Sequence, residues 1–133
     1  MYKNIVLHWT GGNYTPCSTD IECYHYLISG QGLVHEGKYK PIDNLNCTDG
    51  RYAAHCGGGN TGRIGIAICC RKNINTSPTK RQIESMCKLA AELCYKHGLL
   101  PKQVITHAEF GQQHPKTSSY GKIDITEIPY EGL

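Results

Sequence analysis

Three polar side chains, far apart in the chain, are of the types that hold a catalytic metal ion. His8 follows the apolar run Ile5-Val6-Leu7 and precedes Trp9-Thr10-Gly11-Gly12. That order delivers an imidazole to the point where a strand gives way to a glycine loop, at the rim of a sheet. Val104-Ile105-Thr106-His107 repeats the design near the other end of the chain, and Gly121-Lys122-Ile123-Asp124 follows shortly after. Two histidines and one carboxylate are the protein ligands of an open catalytic zinc site, whose fourth position holds water. Each residue also has a plain structural reading. A histidine beside a strand can simply pack, Asp124 suits a turn or a helix start, and Lys122 suits a solvated surface. Spacing alone leaves both readings open.

The elements that must position these residues read as follows. Residues 4–8 form a strand. Residues 13–22 are polar, carry Pro16 and form a loop with room for one helical turn. Residues 24–29 alternate, meet Gly30-Gln31-Gly32, and pair with residues 33–36 as a hairpin. Residues 37–59 make a long polar loop, and long loops in compact domains are usually functional. Ile64-Gly65-Ile66-Ala67-Ile68-Cys69 alternates large with small and is apolar throughout, which suits a central strand buried on both faces. Ser77 is placed to cap a helix with Pro78 in its first turn. Ile83, Met86, Cys87, Ala90, Leu93 and Cys94 form its apolar stripe, and Gly98 ends it. Residues 104–106 form the last strand. The order strand, hairpin, strand, helix, strand predicts an α/β fold, with a mixed central sheet flanked by helices. His35, His97 and His114 fall in the hairpin, at the helix end and in a loop.

The chain has 133 residues and reads as one domain, 1–133. Its net charge of +3 is spread without a basic block, which argues against nucleic acid as a partner and suits a polyanionic polymer such as a cell wall. No long apolar segment follows Met1, and no apolar run approaches the roughly 20 residues needed to cross a bilayer. The expectation is cytoplasmic synthesis without a signal peptide and no membrane insertion. Of the eight cysteines, Cys69, Cys70, Cys87 and Cys94 read as small core residues. Cys17 and Cys23 flank one loop and Cys47 and Cys56 another, with Cys17–Cys23 the pairing best suited to a bridge. None has the C-x-x-C spacing of a structural zinc knuckle. Gly57-Gly58-Gly59 lacks the ending and the following helix of a phosphate-binding loop.

Five segments carry a family resemblance. They are His8-Trp9-Thr10-Gly11-Gly12, Tyr24-His25-Tyr26-Leu27-Ile28, the block from Ala54 through His55, Asn60 and Arg63 to Ala67, Thr106-His107-Ala108-Glu109, and Gly121-Lys122-Ile123-Asp124-Ile125-Thr126. Together they resemble the zinc N-acetylmuramoyl-L-alanine amidases of the type-2 amidase family, which includes bacteriophage lysozyme-type amidases and the peptidoglycan recognition proteins. The resemblance spans nearly the whole chain in order. It implies a type-2 amidase-like fold, Zn2+ as cofactor, and peptidoglycan or a muropeptide as substrate. It implies His8, His107 and Asp124 as metal ligands. It implies Tyr24 and Lys122 as catalytic groups, with the Lys122 ammonium stabilising an oxyanion. The bond cut would join the lactyl group of N-acetylmuramic acid to the first L-alanine of the stem peptide. His55, Asn60, Trp9 and Thr10 are the candidates for substrate binding, His55 and Asn60 with structural alternatives. Adjacent strand residues face opposite ways, so Tyr24 is assigned to the site and His25 is left buried behind it. The alternative function is a muropeptide-binding module of the same fold that does not cut. A monomer that reaches the wall of the periplasm after release or export completes the expectation; a phage endolysin, a secretion-system toxin or a wall-recycling enzyme would each fit.

Three departures from the family stand out. Only fifteen residues separate His8 from Tyr24, where many relatives place a long helix, so one wall of the groove is either missing or built from residues 13–22. The stretch from His107 to Asp124 is longer than in many relatives, and its segment 110–120 is a candidate for closing over the metal or for shaping specificity. Ile125-Thr126 replaces the Pro-Gly common after the aspartate.

Overall fold

The large–small alternation of the central strand sets the two faces of this protein. The computed structural model describes residues 1–71 and 76–125; Thr126 of the last motif lies outside them. Strand β4 runs Arg63–Ile68 and lies at the centre of a five-stranded sheet of order β3-β2-β4-β1-β5. Its neighbours β1 (Asn4–Trp9) and β2 (Tyr26–Ile28) are parallel to it. The edge strand β5 (Val104–Thr106) is parallel to β1, and β3 (Val34–Glu36) closes the other edge as the antiparallel arm of the hairpin. The sheet is therefore mixed, in a single-domain α/β fold.

Successive side chains of a strand point to opposite faces. Ile64, Ile66 and Ile68 of β4, Ile5 of β1 and Ile28 of β2 join one apolar cluster. The helix α2 (Lys80–His97) covers that cluster with Ile83, Met86, Ala90 and Leu93. Gly65 and Ala67 fall on the opposite face, in register with Val6 and His8. That face carries a smaller cluster of Val6, Cys56, Ile105 and Phe110. Two short helices complete the fold, α1 (Ser18–Cys23) and α3 (His107–Gln113). Parallel pairing sends β1, β2, β4 and β5 out at one end of the sheet, where ligands bind in open α/β sheets.

Several local expectations are corrected. Thr79, not Ser77, caps α2: its hydroxyl accepts from the Gln82 amide while the Gln82 side chain accepts from the Thr79 amide. Pro78 therefore lies ahead of the cap rather than in the first turn. Cys87 is exposed and Cys94 half-buried, so the helical stripe is narrower than the sequence suggested. The 13–22 loop ends in α1, and β2 begins at Tyr26, so Tyr24 and His25 precede the strand. All eight cysteines are free thiols, with Cys17 capping α1 and Cys23 ending it. Gly98 does end α2, in the left-handed region at φ 68°. No helix among the described residues is long and apolar enough to cross a membrane.

Ile66 lies fully buried under α2. Ile66→Ala is expected to cost about 2–5 kcal/mol in denaturant unfolding. Exposed Cys87→Ala is expected to stay within about 0.5 kcal/mol. Equal effects of the two would reverse the assignment of the apolar face.

Candidate metal centre

β1 points His8 to the face opposite α2, and β5 ends one residue before His107, which opens α3. The pairing of Leu7 with Thr106 makes the two histidines neighbours across the strand ends. Asp124 arrives from a turn beyond α3 rather than from an extended segment, because the Lys122 amide donates to the Ser119 carbonyl. Ile125 after it holds φ 57°, in the left-handed region a β-branched residue rarely adopts. His8 Nδ1 lies 3.1 Å from His107 Nδ1 and 3.1 Å from Asp124 Oδ2, and His107 Nδ1 lies 3.2 Å from the same carboxylate oxygen. All three side chains are buried, and one ligand atom from each lies within 4.8 Å of the others.

The electrostatics of the cluster call for a positive charge at its centre. Burial alone would raise the Asp124 carboxyl, but its hydrogen bond with His107, and then the nearby His8 ring, hold it well below the usual carboxylate range. Burial alone would lower His107, but its bond to Asp124 outweighs that and pushes it up to about 9. His8, fully buried, is lowered by desolvation. The proton on His107 Nδ1 thus faces the lone pairs of His8 Nδ1 and Asp124 Oδ2, where a cation could take its place. Two imidazoles and one carboxylate around a common point are a donor set that fits a divalent cation with one corner open.

His107 and Asp124 also line a cleft of about 320 Å³, together with Trp9, Thr10, Gly11, Tyr24 and Lys122 among others. The Tyr24 ring lies 5.2 Å from that of His8. Burial, and then the charge of Asp124, raise its phenol, so it stays a neutral hydrogen-bond donor at physiological pH. Lys122 is exposed on the cleft. A larger cavity of about 510 Å³ beside Gly30 and Thr79 has His35 as its only metal-ligating side chain.

The remaining candidates lie elsewhere. His55 is buried behind His8, its Nδ1 3.0 Å from His8 Nε2, and it does not line the cleft. Asn60 sits in a turn, its side-chain oxygen accepting from the Cys56 amide. His25 is buried, accepting from the Gly65 amide and donating to Asn44 Oδ1. Segment 110–120 does not close over the centre. Phe110 and Thr117 instead crowd against Gly59 and Gly58 so closely that a Cβ would not fit at either glycine. Ser119 in that segment was not anticipated from sequence: it is fully buried, with Oγ 2.9 Å from His107 Nε2. Nothing in Ser118-Ser119-Tyr120 distinguishes it from loop serines.

These elements and this cleft belong to a known class. Residues 2–122 match the sequence profile of the N-acetylmuramoyl-L-alanine amidases, and the chain belongs to that family. No curated protein sequence matches it. Among solved structures, the fold is similar to the endolysin N-acetylmuramoyl-L-alanine amidase LysCS from Clostridium intestinale URNW, with a TM-score of 0.61 and 21% identity over 81% of this chain and 70% of that one. It is also similar to the Drosophila peptidoglycan recognition protein SD, with a TM-score of 0.58 and 21% identity over 80% and 69%. The Ph2119 endolysin from a Thermus scotoductus bacteriophage aligns with a TM-score of 0.59 and 17% identity over 81% and 72%.

His107 must shed its proton before it ligates a cation. Below its pKa of about 9, divalent-cation affinity is therefore expected to rise with pH, by up to about tenfold per unit between roughly pH 6 and 8. Calorimetry in buffers of different ionisation enthalpy should count about one proton released. Affinity that stays flat over that range would remove His107 from the ligand set.

Proposed function

We propose that the protein is a zinc-dependent hydrolase that cleaves the amide bond between N-acetylmuramic acid and the L-alanine of the stem peptide in peptidoglycan. The observation that carries this reading is the buried group His8, His107 and Asp124 opening onto a cleft, in a chain of the amidase family. When bound there, zinc supplies Lewis acidity that brings the pKa of a water toward about 7.

The chain's own residues do the rest. Water adds to the lactyl carbonyl carbon, the C–N bond breaks, and the products are a lactyl carboxylate and the free amine of L-alanine. Lys122 brings a positive charge to the cleft, where it offsets the negative charge developing on the carbonyl oxygen. Tyr24, kept protonated by its surroundings, donates to the tetrahedral species and orients the attacking water. Trp9 and Thr10 form the floor on which the sugar or the first peptide unit rests. The alternative, a module that holds muropeptides without cutting them, would need no complete ligand set, and all three ligands and Lys122 are present here.

Mass spectrometry of digested peptidoglycan tests the reaction. Stem peptides with a free L-alanine amine and intact glycan strands are expected, whereas new reducing ends would mean glycosidase chemistry instead. Asp124→Ala is expected to lose both zinc and activity. Lys122→Ala is expected to keep zinc and lose about 10²–10³-fold in rate. Wild-type rates from the Lys122 variant would remove that residue from catalysis.

A further inference from the structure

The nitrogen that each imidazole offers the centre is decided on its far side, by backbone carbonyls. His55 Nε2 lies 3.1 Å from the Arg63 carbonyl oxygen, which can only accept, so Nε2 carries the proton. Among the described residues no carboxylate bonds His55; its polar neighbours there are His8 and that carbonyl, with the His25 ring 5.4 Å away. A second proton would make it a buried, uncompensated charge. Its Nδ1 is therefore a bare acceptor, and His8 Nε2, 3.0 Å away, must donate to it. That leaves the lone pair of His8 Nδ1 facing His107 and Asp124.

The same logic runs through Ser119. Its hydroxyl donates to the Gly57 carbonyl at 2.6 Å, which spends its only proton. Ser119 Oγ then accepts from His107 Nε2 at 2.9 Å, and Nδ1 of His107 is the nitrogen left for the centre. The fold makes room for the first arm at a cost to its central strand. A Cβ on Gly65 would sit 2.5 Å from Cγ of His55, so β4 carries a glycine where a β-branched residue would otherwise suit it.

We propose that His55 and Ser119 are positioning residues that pass the polarity of the Arg63 and Gly57 carbonyls to His8 and His107, so that both rings present Nδ1 to the metal. This rests on the three side chains being ligands of a divalent cation, and it does not depend on which bond the enzyme cuts. Metal-binding histidines commonly donate their second N–H to such partners, and losing the partner typically costs 10–100-fold in affinity.

Long-range ¹H–¹⁵N spectra of histidine-labelled protein read the tautomers directly. In the metal-free chain, His8 is expected with its proton on Nε2. His55→Leu is expected to move part of that proton to Nδ1 and to weaken Zn²⁺ binding about 10–100-fold. His55→Gln, whose amide both accepts and donates, should restore affinity to within a few-fold. Ser119→Ala should weaken Zn²⁺ comparably and Ser119→Thr should restore it, which keeps the test open should His55→Leu fail to fold. A wild-type His8 protonated on Nδ1 overturns the proposal, as do His55→Leu and Ser119→Ala that both bind Zn²⁺ like wild type. A chain that binds zinc with these tautomers yet leaves peptidoglycan intact would overturn the amidase reading and support this one.

Discussion

The imidazole of His8 is held at both nitrogens, and the site depends on where β1 places that ring. β1 lies between β4 and β5, with His8 opposite Ala67 and Leu7 opposite Thr106. This register brings His107 to one side of the ring, and the chain between His55 and Arg63 returns to the other. A slip of one residue would turn His8 toward α2 and send Leu7 into the polar face. The parallel sheet therefore acts as the ruler for the ligand geometry.

Behind the cleft lie four buried imidazoles, of which His8 and His107 share the buried Asp124 carboxylate. Such a cluster is tolerable only when every nitrogen has a defined partner, because low polarity strengthens satisfied bonds and penalises orphans alike. Asn44 illustrates the arrangement: its side chain accepts from His25 and the Ala53 amide and donates to the Ala53 and Asn60 carbonyls. Among the described residues, no buried side-chain polar atom lacks a partner. His25 and His55 are pushed down by burial and stay neutral, leaving the positive charge to the centre itself.

Much of this was legible in the residues. The apolar runs ending in His8 and His107 marked strand ends, and the isoleucine–glycine–isoleucine–alanine alternation marked a central strand buried on both faces. Periodicity does not identify the capping residue, so Ser77 was expected where Thr79, through its bonds with Gln82, is the cap. It also cannot show which polar residues face each other across the fold. His55 fell in a glycine-rich loop that suggested substrate contact, yet Gly65 receives its ring against the sheet. Ser119 carried no local signal, because its role comes from a contact with a residue twelve positions away. The shape of segment 110–120 was set by the small residues Gly58 and Gly59, which admit Thr117 and Phe110 where a closing lid had been one of two expectations.

β5 has consequences beyond the site. It is a three-residue edge strand bonded on one side only, to β1, and it is followed at once by His107. So short a ladder resists fraying weakly, and a cation shared by residues 8, 107 and 124 would work as a clasp across 116 positions of chain. The ion that equips the cleft for chemistry would thus also hold shut the seam where the sheet is most easily opened. Chelation would then act as a mechanical loosening of this margin, leaving the isoleucine layer beneath α2 in place.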